Sequence, residues 1–529
     1  MSTEQRTVKL AVALGAAPLR KWEQLAISRA RAVDGVEFVG FVRDGAHEER
    51  GSSFAGKLFH RYVQAAKGSE MLALEPLVDD GSSTGALMPS GNSPDVVLFL
   101  CGSTPSEAQL KISACWCFQG PDGVAPANIP PGTREALTDH PITYFELVDR
   151  STSKALRNGS FPTYHGLPIL TAEHVLGHAA SWPALALREL VSHATIHTGP
   201  AAARSPEIPV PGNISMALYH LAHLLTRAVL NADDRHGGDW NIGLLHQPIH
   251  VLLDEEASMN VRWFPPPSSG KGRMEPFGYL AADGELNVLY RKADGNAGGS
   301  SIARLRPKPD NILKRSRAML EVERDHAYPY VVLINGVPHV LRTVRSEGTT
   351  DLYRVNDAND GLDPVAVLLD VALHSPTLFE HAGRWWLLGT QEPLRDAALY
   401  AYHGASPTGP FAPHVSNPVK CDVRSARPAG TPFIHEGILW RPALDVSDPQ
   451  RPAVVLNRVL SLSPDTFAEE PGRMLEGFKS TAYGRGVRTL CAMGEVTLVD
   501  GLRSPVLSAA KANAGRSKHR KRSKPSDEE

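Results

Sequence analysis

Three short stretches contain residue types that do chemistry in other proteins, but none has a complete motif. Cys115 and Cys117 form a Cys-x-Cys pair without a second ligand pair at zinc-site spacing, so we expect buried free thiols and no metal. The sequence "SGKG" (269–272) resembles part of a phosphate loop but lacks its full spacing and a preceding strand, which indicates a flexible loop. His220 and His223 follow helical periodicity, which favours a polar face or a core edge over a ligand pair.

Adjacent tryptophans in "SPTLFEHAGRWWLLGT" (375–390) raise a different possibility, the stacking of an aromatic ring on a sugar. The stretch has the pattern of a strand, a Gly-containing turn and a second strand. Side chains alternate between the faces of a strand, so only one of Trp385 and Trp386 can face a ligand.

The bulk composition excludes several functional classes. The chain has 529 residues and a formal net charge of -2, which predicts several domains and gives no global attraction to nucleic acid or membrane. Five cysteines are too few and too scattered for a secreted disulfide framework. No apolar run reaches the roughly 20 residues that span a bilayer. We therefore expect a cytoplasmic protein without a membrane span.

The first part of the chain has the alternating pattern of an α/β domain. "VKLAVALG", "VEFVGFV" and "PDVVLFLCG" have the composition of buried strands, and "RKWEQLAISRARAV" has helical spacing. We predict a doubly wound α/β domain over residues 1–190 and a Pro-rich linker with an amphipathic helix over 191–239.

The second part has the residue pattern of an all-β domain. Five strand–turn–strand runs begin about every 50 residues, which predicts a five-bladed β-propeller over 240–505. The inner strands of a propeller line its central channel, where ligands usually bind. The tail, 506–529, is charged and without apolar periodicity, so we predict a disordered, basic and solubilising segment rather than a nucleic-acid-binding one.

The propeller pieces resemble a known domain, the N-terminal domain of plant glucosamine inositolphosphorylceramide transferases, and bacterial relatives that share the propeller of family-43-like glycoside hydrolases. The matching pieces cover most of residues 240–503, and the run from "GPFAPH" through "NPV" to "ARPAG" is the most specific. The first part resembles a formyltransferase-type domain through "PDVVLFLCG" followed by "CWCFQG". Active formyltransferases have Asn-x-His there, whereas this chain has Cys117 and Gln119, and glutamine cannot transfer protons near neutral pH.

The propeller resemblance implies a set of candidate site residues. Relatives place acids at the starts of inner strands, and here Glu275 keeps one, whereas Arg291, Thr343 and Ser375 stand where acids are expected. We predict Glu275 and Asp445 as the acid–base pair, with His326 as a proton-transfer group. The predicted substrate-binding residues are Arg427, Arg441, Tyr328, Trp385, His414 and Asn417.

These resemblances favour a carbohydrate-active enzyme, glycosyltransferase-like, that acts on an activated sugar or glycoconjugate in biosynthesis. Two alternatives stay open: a non-catalytic protein that binds a glycan or nucleotide sugar, and a sugar N-formyltransferase. We expect a sugar or nucleotide-sugar partner, no cofactor and no nucleic acid. The sequence is also compatible with a homo-oligomer.

Overall fold

The chain forms two compact units, residues 1–229 and 230–529. A computed structural model describes residues 6–15, 17–43, 58–59, 61, 63, 68–76, 93–120, 129–165, 167–193, 212–219, 221, 240–267, 271–281, 284–294, 300–307, 317–322, 328–357, 361–479 and 481–503. Among the predicted features that fall outside these residues are the proton-transfer group His326 and the disordered tail, 506–529.

The first unit contains one six-stranded sheet with the order β2-β1-β3-β4-β5-β6. Its strands are β1 (Val8–Leu14), β2 (Val36–Arg43), β3 (Val96–Leu100), β4 (Ala114–Gln119), β5 (Ile142–Asp149) and β6 (Lys154–Pro162). Its described helices are α1 (Lys21–Arg31), α2 (Glu107–Leu110), α3 (Thr133–Leu137), α4 (Pro168–Ala179) and α5 (Trp182–His193), with a 3₁₀ turn at Glu70–Leu72.

The three strands and the helix predicted from the first part are confirmed as β1, β2, β3 and α1. The sheet is parallel from β2 to β4 but antiparallel from β4 to β6, so it is mixed rather than doubly wound throughout. A tight turn after Asp149 reverses the chain, so that β6 lies beside β5. Two strands joined by so short a connection can only pair in the antiparallel orientation. Whether this unit is formyltransferase-like stays a prediction.

The second unit is a five-bladed β-propeller. The chain enters through β7 (Trp240–Leu245), a 3₁₀ turn (Ile249–Leu253) and β8 (Arg262–Trp263). The first two blades are β9 (Lys271–Leu280), β10 (Leu286–Asp294), β11 (Ser300–Leu305) and β12 (Arg317–Val322), then β13 (Val331–Ile334), β14 (Val337–Val344), β15 (Thr349–Asn356) and β16 (Gly361–Leu369).

The third blade contains β17 (His374–His381), β18 (Arg384–Thr390), β19 (Ala398–Gly404), β20 (Ala412–Pro413) and the short β21 (Lys420–Cys421). The fourth contains β22 (Phe433–His435), β23 (Ile438–Asp445), β24 (Ala453–Leu462) and β25 (Phe467–Leu475). The last strands, β26 (Leu490–Met493) and β27 (Val496–Leu502), begin the fifth blade. All five predicted hairpins are therefore confirmed.

The fifth blade closes the ring with strands from both ends of the unit. Its order is β26-β27-β7-β8, so β27 pairs with the entry strand β7. This pairing joins the first strand of the unit to its last hairpin and so fastens the ring of blades.

Strands β9 and β17 of the first and third blades each contain irregular backbone. Glu275 and Ser375 both have positive φ, 54° and 50°, and both precede a proline. The strand register shifts at each place, so these residues lie in bulges of β9 and β17. A bulge changes the direction of a side chain from the regular alternation of a strand. A positive φ in a non-glycine residue costs conformational energy, and such residues are often found at functional sites.

Candidate functional site

The side chains around Glu275 form a cluster of charges in the described part of the propeller. Glu275 is only 4% exposed, although it carries a carboxylate. Its Oε1 lies 3.7 Å from Nη1 of Arg291, which extends from the adjacent strand β10. Its backbone N–H donates a 2.9 Å hydrogen bond to Oδ2 of Asp500 in β27 of the fifth blade. The bulge of β9 is thus fixed from two blades.

Asp500 positions the cluster by accepting hydrogen bonds from the backbone. Besides Glu275, it accepts from the N–H groups of Arg488 and Thr489 at 2.7 and 2.9 Å, through Oδ1. It is fully buried, and burial raises its pKa to about 6 even though these backbone hydrogen bonds favour the charged form. Asp500 therefore sets the backbone of Glu275 and Arg488 at the same time.

Arg427 enters the cluster from the segment between β21 and β22. Its Nε donates to Oγ of Ser375 and its Nη1 to Oδ1 of Asp396, both at 2.9 Å. Burial alone would lower the pKa of Arg427, but the charges of Asp396 and Glu275 outweigh burial and raise it. The same contact holds the pKa of Asp396 below its usual value, against the effect of burial.

Arg488, just before β26, is the cation of the cluster that lacks a carboxylate partner. Its guanidinium makes no hydrogen bond to any described residue, and its buried Nε has no partner. The group lies 5.5 Å from the ring centre of Trp240. Burial lowers the pKa of Arg488; the charge of Glu275 opposes this, whereas Arg427 and Arg291 add to it.

Tyr328 completes the cluster at the start of the second blade. It is 5% exposed, and its ring packs edge-to-face on Phe277 with centroids 4.9 Å apart. Burial raises the pKa of its hydroxyl well above the usual value, and the charges of Tyr330 and Glu275 act in the same direction. Three predicted site residues, Glu275, Arg427 and Tyr328, therefore lie together.

Two positions at which acids were expected also belong to this cluster. Arg291 lies beside Glu275, and Ser375 accepts from Arg427. A site with a second and third carboxylate is thereby replaced by one with extra positive charge. The arrangement combines three guanidiniums with the carboxylates of Glu275, Asp396 and Asp500, and only Asp396 accepts a guanidinium hydrogen bond, so guanidinium donors remain that suit recognition of an anion.

Asp445, the predicted partner of Glu275, has its own surroundings at the end of β23. Its Oδ1 accepts from the backbone N–H of Ser447 at 2.9 Å and from its hydroxyl at 2.7 Å. Burial raises the pKa of Asp445, and the hydrogen bonds from Ser447 oppose this. Within the residues that the structure describes, no contact joins Asp445 to Glu275, so their pairing stays a prediction.

Arg441 makes contacts within the fourth blade that leave little free for a ligand. Its Nε and Nη2 bind the two carboxylate oxygens of Glu469 at 2.8 and 2.6 Å, and both side chains are 2% exposed. Nη2 also donates to the carbonyl of Ser425 at 2.6 Å, and Lys420 binds the same carboxylate at 2.6 Å. These contacts favour a structural role.

His414 and Asn417 lie at the outer edge of the third blade, near β20. The amide of Asn417 accepts from the N–H of Ala401 at 2.8 Å and donates to its carbonyl at 2.7 Å, as a neighbouring strand would. Nδ1 of His414 accepts from the N–H of Ser416 at 3.0 Å, and burial lowers its pKa. Both residues complete the blade edge.

The adjacent tryptophans pack between blades. Trp386 is 1% exposed and lies in the cluster shared with the fourth blade, whereas the half-buried Trp385 packs against the cluster of the first three blades. They therefore face opposite sides, as strand alternation predicts. Trp385 pairs with Glu380, which places it about 17 Å along the strand from Ser375 at 3.3 Å per residue.

Sequence reasoning missed Asp396, Arg488 and Asp500. One signal was available for Asp500, because a charged residue interrupts the apolar strand "VTLVDGL". Asp396 and Arg488 lie in loops, and only the fold brings them to the cluster.

The first unit contains a separate cavity of about 470 Å³ at the carboxyl ends of β3 and β4. Its lining includes Trp22, Glu23, Cys101, Cys117 and Arg150. Burial raises the pKa of Cys117 to about 12 and also raises that of Glu23. Gln119 donates a 2.5 Å hydrogen bond to Glu146.

Two kinds of feature are absent from the residues that the structure describes. No helix among them is both long and apolar enough to cross a membrane. Nor do they include a group of three or more His, Cys, Asp or Glu side chains arranged to hold a metal ion.

Comparison with known families places the similarity in the propeller unit. A model of the N-terminal domain of glucosamine inositolphosphorylceramide transferase 1 matches residues 297–488. The transferase of that name from Oryza sativa subsp. japonica is 28% identical over 196 residues, which are 34% of this chain and 26% of the rice protein. The Arabidopsis thaliana transferase is 26% identical over 149 residues, 27% of this chain and 20% of that protein.

The chain therefore has a segment homologous to these transferases, and the match spans about a quarter of the rice protein. Among solved structures, a family 117 glycoside hydrolase (Zg3597) from Zobellia galactanivorans is 11% identical, with a TM-score of 0.31 over 44% of this chain and 85% of that one. A GH43_1 enzyme from Xanthomonas citri is 11% identical, with a TM-score of 0.33 over 44% and 82%.

Proposed function

We propose that this chain is a carbohydrate-active, glycosyltransferase-like protein that handles an activated sugar in the biosynthesis of a glycoconjugate. The observation that carries the proposal is the cluster of Glu275, Arg427 and Tyr328. The homologous segment of the inositolphosphorylceramide transferases supports it, because their name describes the transfer of a sugar to a glycolipid.

Glu275 is the carboxylate best placed to act on the sugar. It is held in a bulge, and its immediate neighbours, Arg291 and the backbone partner Asp500, fix it in one position. A positioned carboxylate can accept the proton of an acceptor hydroxyl as its oxygen attacks the anomeric carbon of the activated sugar, while the bond from that carbon to the donor's leaving group breaks and the leaving group departs with the electron pair. In this proposal Asp445 and His326 remain the candidates for the second proton-transfer group.

Calorimetric titration of the full chain tests the proposal. The panel contains nucleotide sugars, free monosaccharides and short glycans, and the variants are Glu275→Gln and the control Glu470→Gln, whose exposed carboxylate pairs with Arg458. We expect at least one sugar-containing ligand to bind, with affinity lowered at least tenfold in E275Q and unchanged in E470Q. If no member of the panel binds, or if the two variants behave alike, the proposal is wrong.

A second candidate is a non-catalytic module that binds a glycan or nucleotide sugar. The observation in its favour is that Arg291 and Ser375 occupy positions at which acids were expected, so Glu275 lacks the partner acid that those positions would have supplied. Release of nucleotide or sugar from a bound donor in the presence of acceptor glycolipid distinguishes the two. Turnover that E275Q abolishes supports the enzyme, and tight binding without turnover supports the module.

A sugar N-formyltransferase is the third reading, and it concerns the first unit. Cys117 has a pKa of about 12 and the amide of Gln119 is held by Glu146, so neither supplies a general base near neutral pH. Formyl transfer would require the buried Glu23 instead. Production of a formylated amino sugar from a formyl folate, lost in Glu23→Gln, would establish it. The cytoplasmic location and a homo-oligomeric state stay predictions.

A further inference from the structure

We infer that Arg291, Arg427 and Arg488 form an anion subsite that binds the phosphate of a sugar phosphate ester. The inference rests on the proposed function, because it names the chemical group by which the sugar ligand would be held. The three guanidiniums come from different places in the propeller: β10 of the first blade, the segment before β22, and the segment before β26.

The three acids of the cluster, Glu275, Asp396 and Asp500, equal its three arginines in number but are not all paired with them. Arg427 is paired with Asp396, and Arg291 lies 3.7 Å from Glu275. Asp500 does not serve as the third partner, because its oxygens accept hydrogen bonds from backbone N–H groups. The guanidinium of Arg488 therefore forms no ion pair or hydrogen bond with a described carboxylate, although the charges of Glu275 and Asp500 act on it.

Arg488 is half-buried, and an arginine without an ion pair is costly at such a place. A buried charge without a partner is strongly unfavourable, and a buried N–H without an acceptor adds to the cost. The Nε atoms of both Arg291 and Arg488 are buried and have no hydrogen-bond partner. A bound anion would supply the missing acceptors.

Phosphate fits these donors better than a neutral sugar does. A guanidinium presents its Nε–H and one Nη–H as a planar fork that binds two phosphate oxygens at once. Two such forks with free Nε atoms can share the oxygens of one phosphate group. Arg427, already fixed by Ser375 and Asp396, adds a third positive charge beside them. The sugar attached to this phosphate would then lie beside Glu275.

The experiment uses the full chain with three probes: glucose 1-phosphate, glucose and inorganic phosphate. Affinities are measured by calorimetry for the wild-type protein and for Arg488→Gln, Arg488→Lys and Arg291→Gln. Arg458→Gln is the matched control, because Arg458 is an exposed arginine of the fourth blade paired only with Glu470. Thermal melting without ligand checks that each variant is folded, and R291Q serves if R488Q is not.

We expect glucose 1-phosphate to bind at least tenfold more tightly than glucose. R488Q and R291Q should each weaken this binding at least tenfold, R488K should retain part of it, and R458Q should leave it unchanged. Without ligand, R488Q should melt at the same temperature as the wild type or higher, because an unpaired buried cation is removed. A role for Arg488 in folding alone would instead lower the melting temperature and leave the preference for phosphate intact.

The outcomes separate the subsite from the proposed function. If glucose binds as tightly as its phosphate and R488Q has no effect, the subsite is wrong while the carbohydrate function stands. If inorganic phosphate binds as tightly as glucose 1-phosphate and both are lost in R488Q, the subsite is correct and the sugar function fails. If no probe containing phosphate binds, the subsite is overturned.

Discussion

Replacement of Glu469 by glutamine tests the structural role of Arg441 in the fourth blade. The carboxylate of Glu469 binds the guanidinium of Arg441 through both oxygens and also binds Lys420. With Arg441 only 2% exposed, the substitution leaves a buried cation without its partner. Removal of one member of a buried pair costs about 3–5 kcal/mol in other proteins.

The pKa of Glu469 gives an independent magnitude. Burial alone would raise this pKa, but the charges and hydrogen bonds of Arg441 and Lys420 lower it from 4.5 to about 2. That difference corresponds to about 3 kcal/mol of stability for the ionised form. Because the pKa is lower in the folded state, this stability is present above pH 4.5 and is lost as the pH falls towards 2.

The assay is thermal and urea unfolding of the full chain at pH 7, with tryptophan fluorescence as the signal that monitors unfolding. We expect E469Q to lower the free energy of unfolding of the propeller by about 3 kcal/mol, a loss of roughly 2–4 °C per kcal/mol. The control E470Q breaks only an exposed pair and should change it by less than about 0.5 kcal/mol. Equal stability of the two variants, with loss of ligand binding in E469Q, would refute the structural reading of Arg441.

Three further predictions follow from local geometry. Gly430→Ala should destabilise the propeller by on the order of 3 kcal/mol or more, because Gly430 has a φ of +141° and the new Cβ would lie 1.9 Å from the carbonyl oxygen of Leu490. Gly437→Ala should cost only about 1–2 kcal/mol, because Gly437 has a φ of +76° but open space around the new Cβ. Urea unfolding compares the two variants. Asn417→Ala should cost about 1–3 kcal/mol by removing both hydrogen bonds to Ala401 and should leave sugar affinity unchanged in calorimetry. All five thiols should react slowly with a disulfide reagent at pH 8 and quickly after denaturation, because burial raises their pKa values; fast reaction of the native chain would contradict this.

The propeller could be predicted from the sequence because its signal is local. Each hairpin combines apolar strands with a Gly-containing turn, and repetition at about 50 residues shows the blades. The mixed sheet of the first unit was not predictable in the same way. Strand direction depends on where the chain returns, and the antiparallel placement of β5 beside β4 comes from long-range packing.

The site was predictable only in part, for a related physical reason. Resemblance indicated Glu275, Tyr328 and Arg427, which lie together, but it equally indicated Arg441 and Asn417, whose contacts belong to blade packing. A residue type kept in a motif does not show whether its partners are a ligand or the protein. The burial and hydrogen bonds that make this distinction arise between residues far apart in the sequence, as in the contact of Asp500 with the backbone of Glu275.

The most direct test of the account is a crystal structure of the full chain with a bound sugar phosphate. The account predicts electron density for the ligand beside Glu275, with phosphate oxygens within hydrogen-bond distance of Arg427 and of the Nε atoms of Arg291 and Arg488. Ligand density elsewhere, in the cavity of the first unit or at Trp385, with the three guanidiniums unchanged, would contradict it.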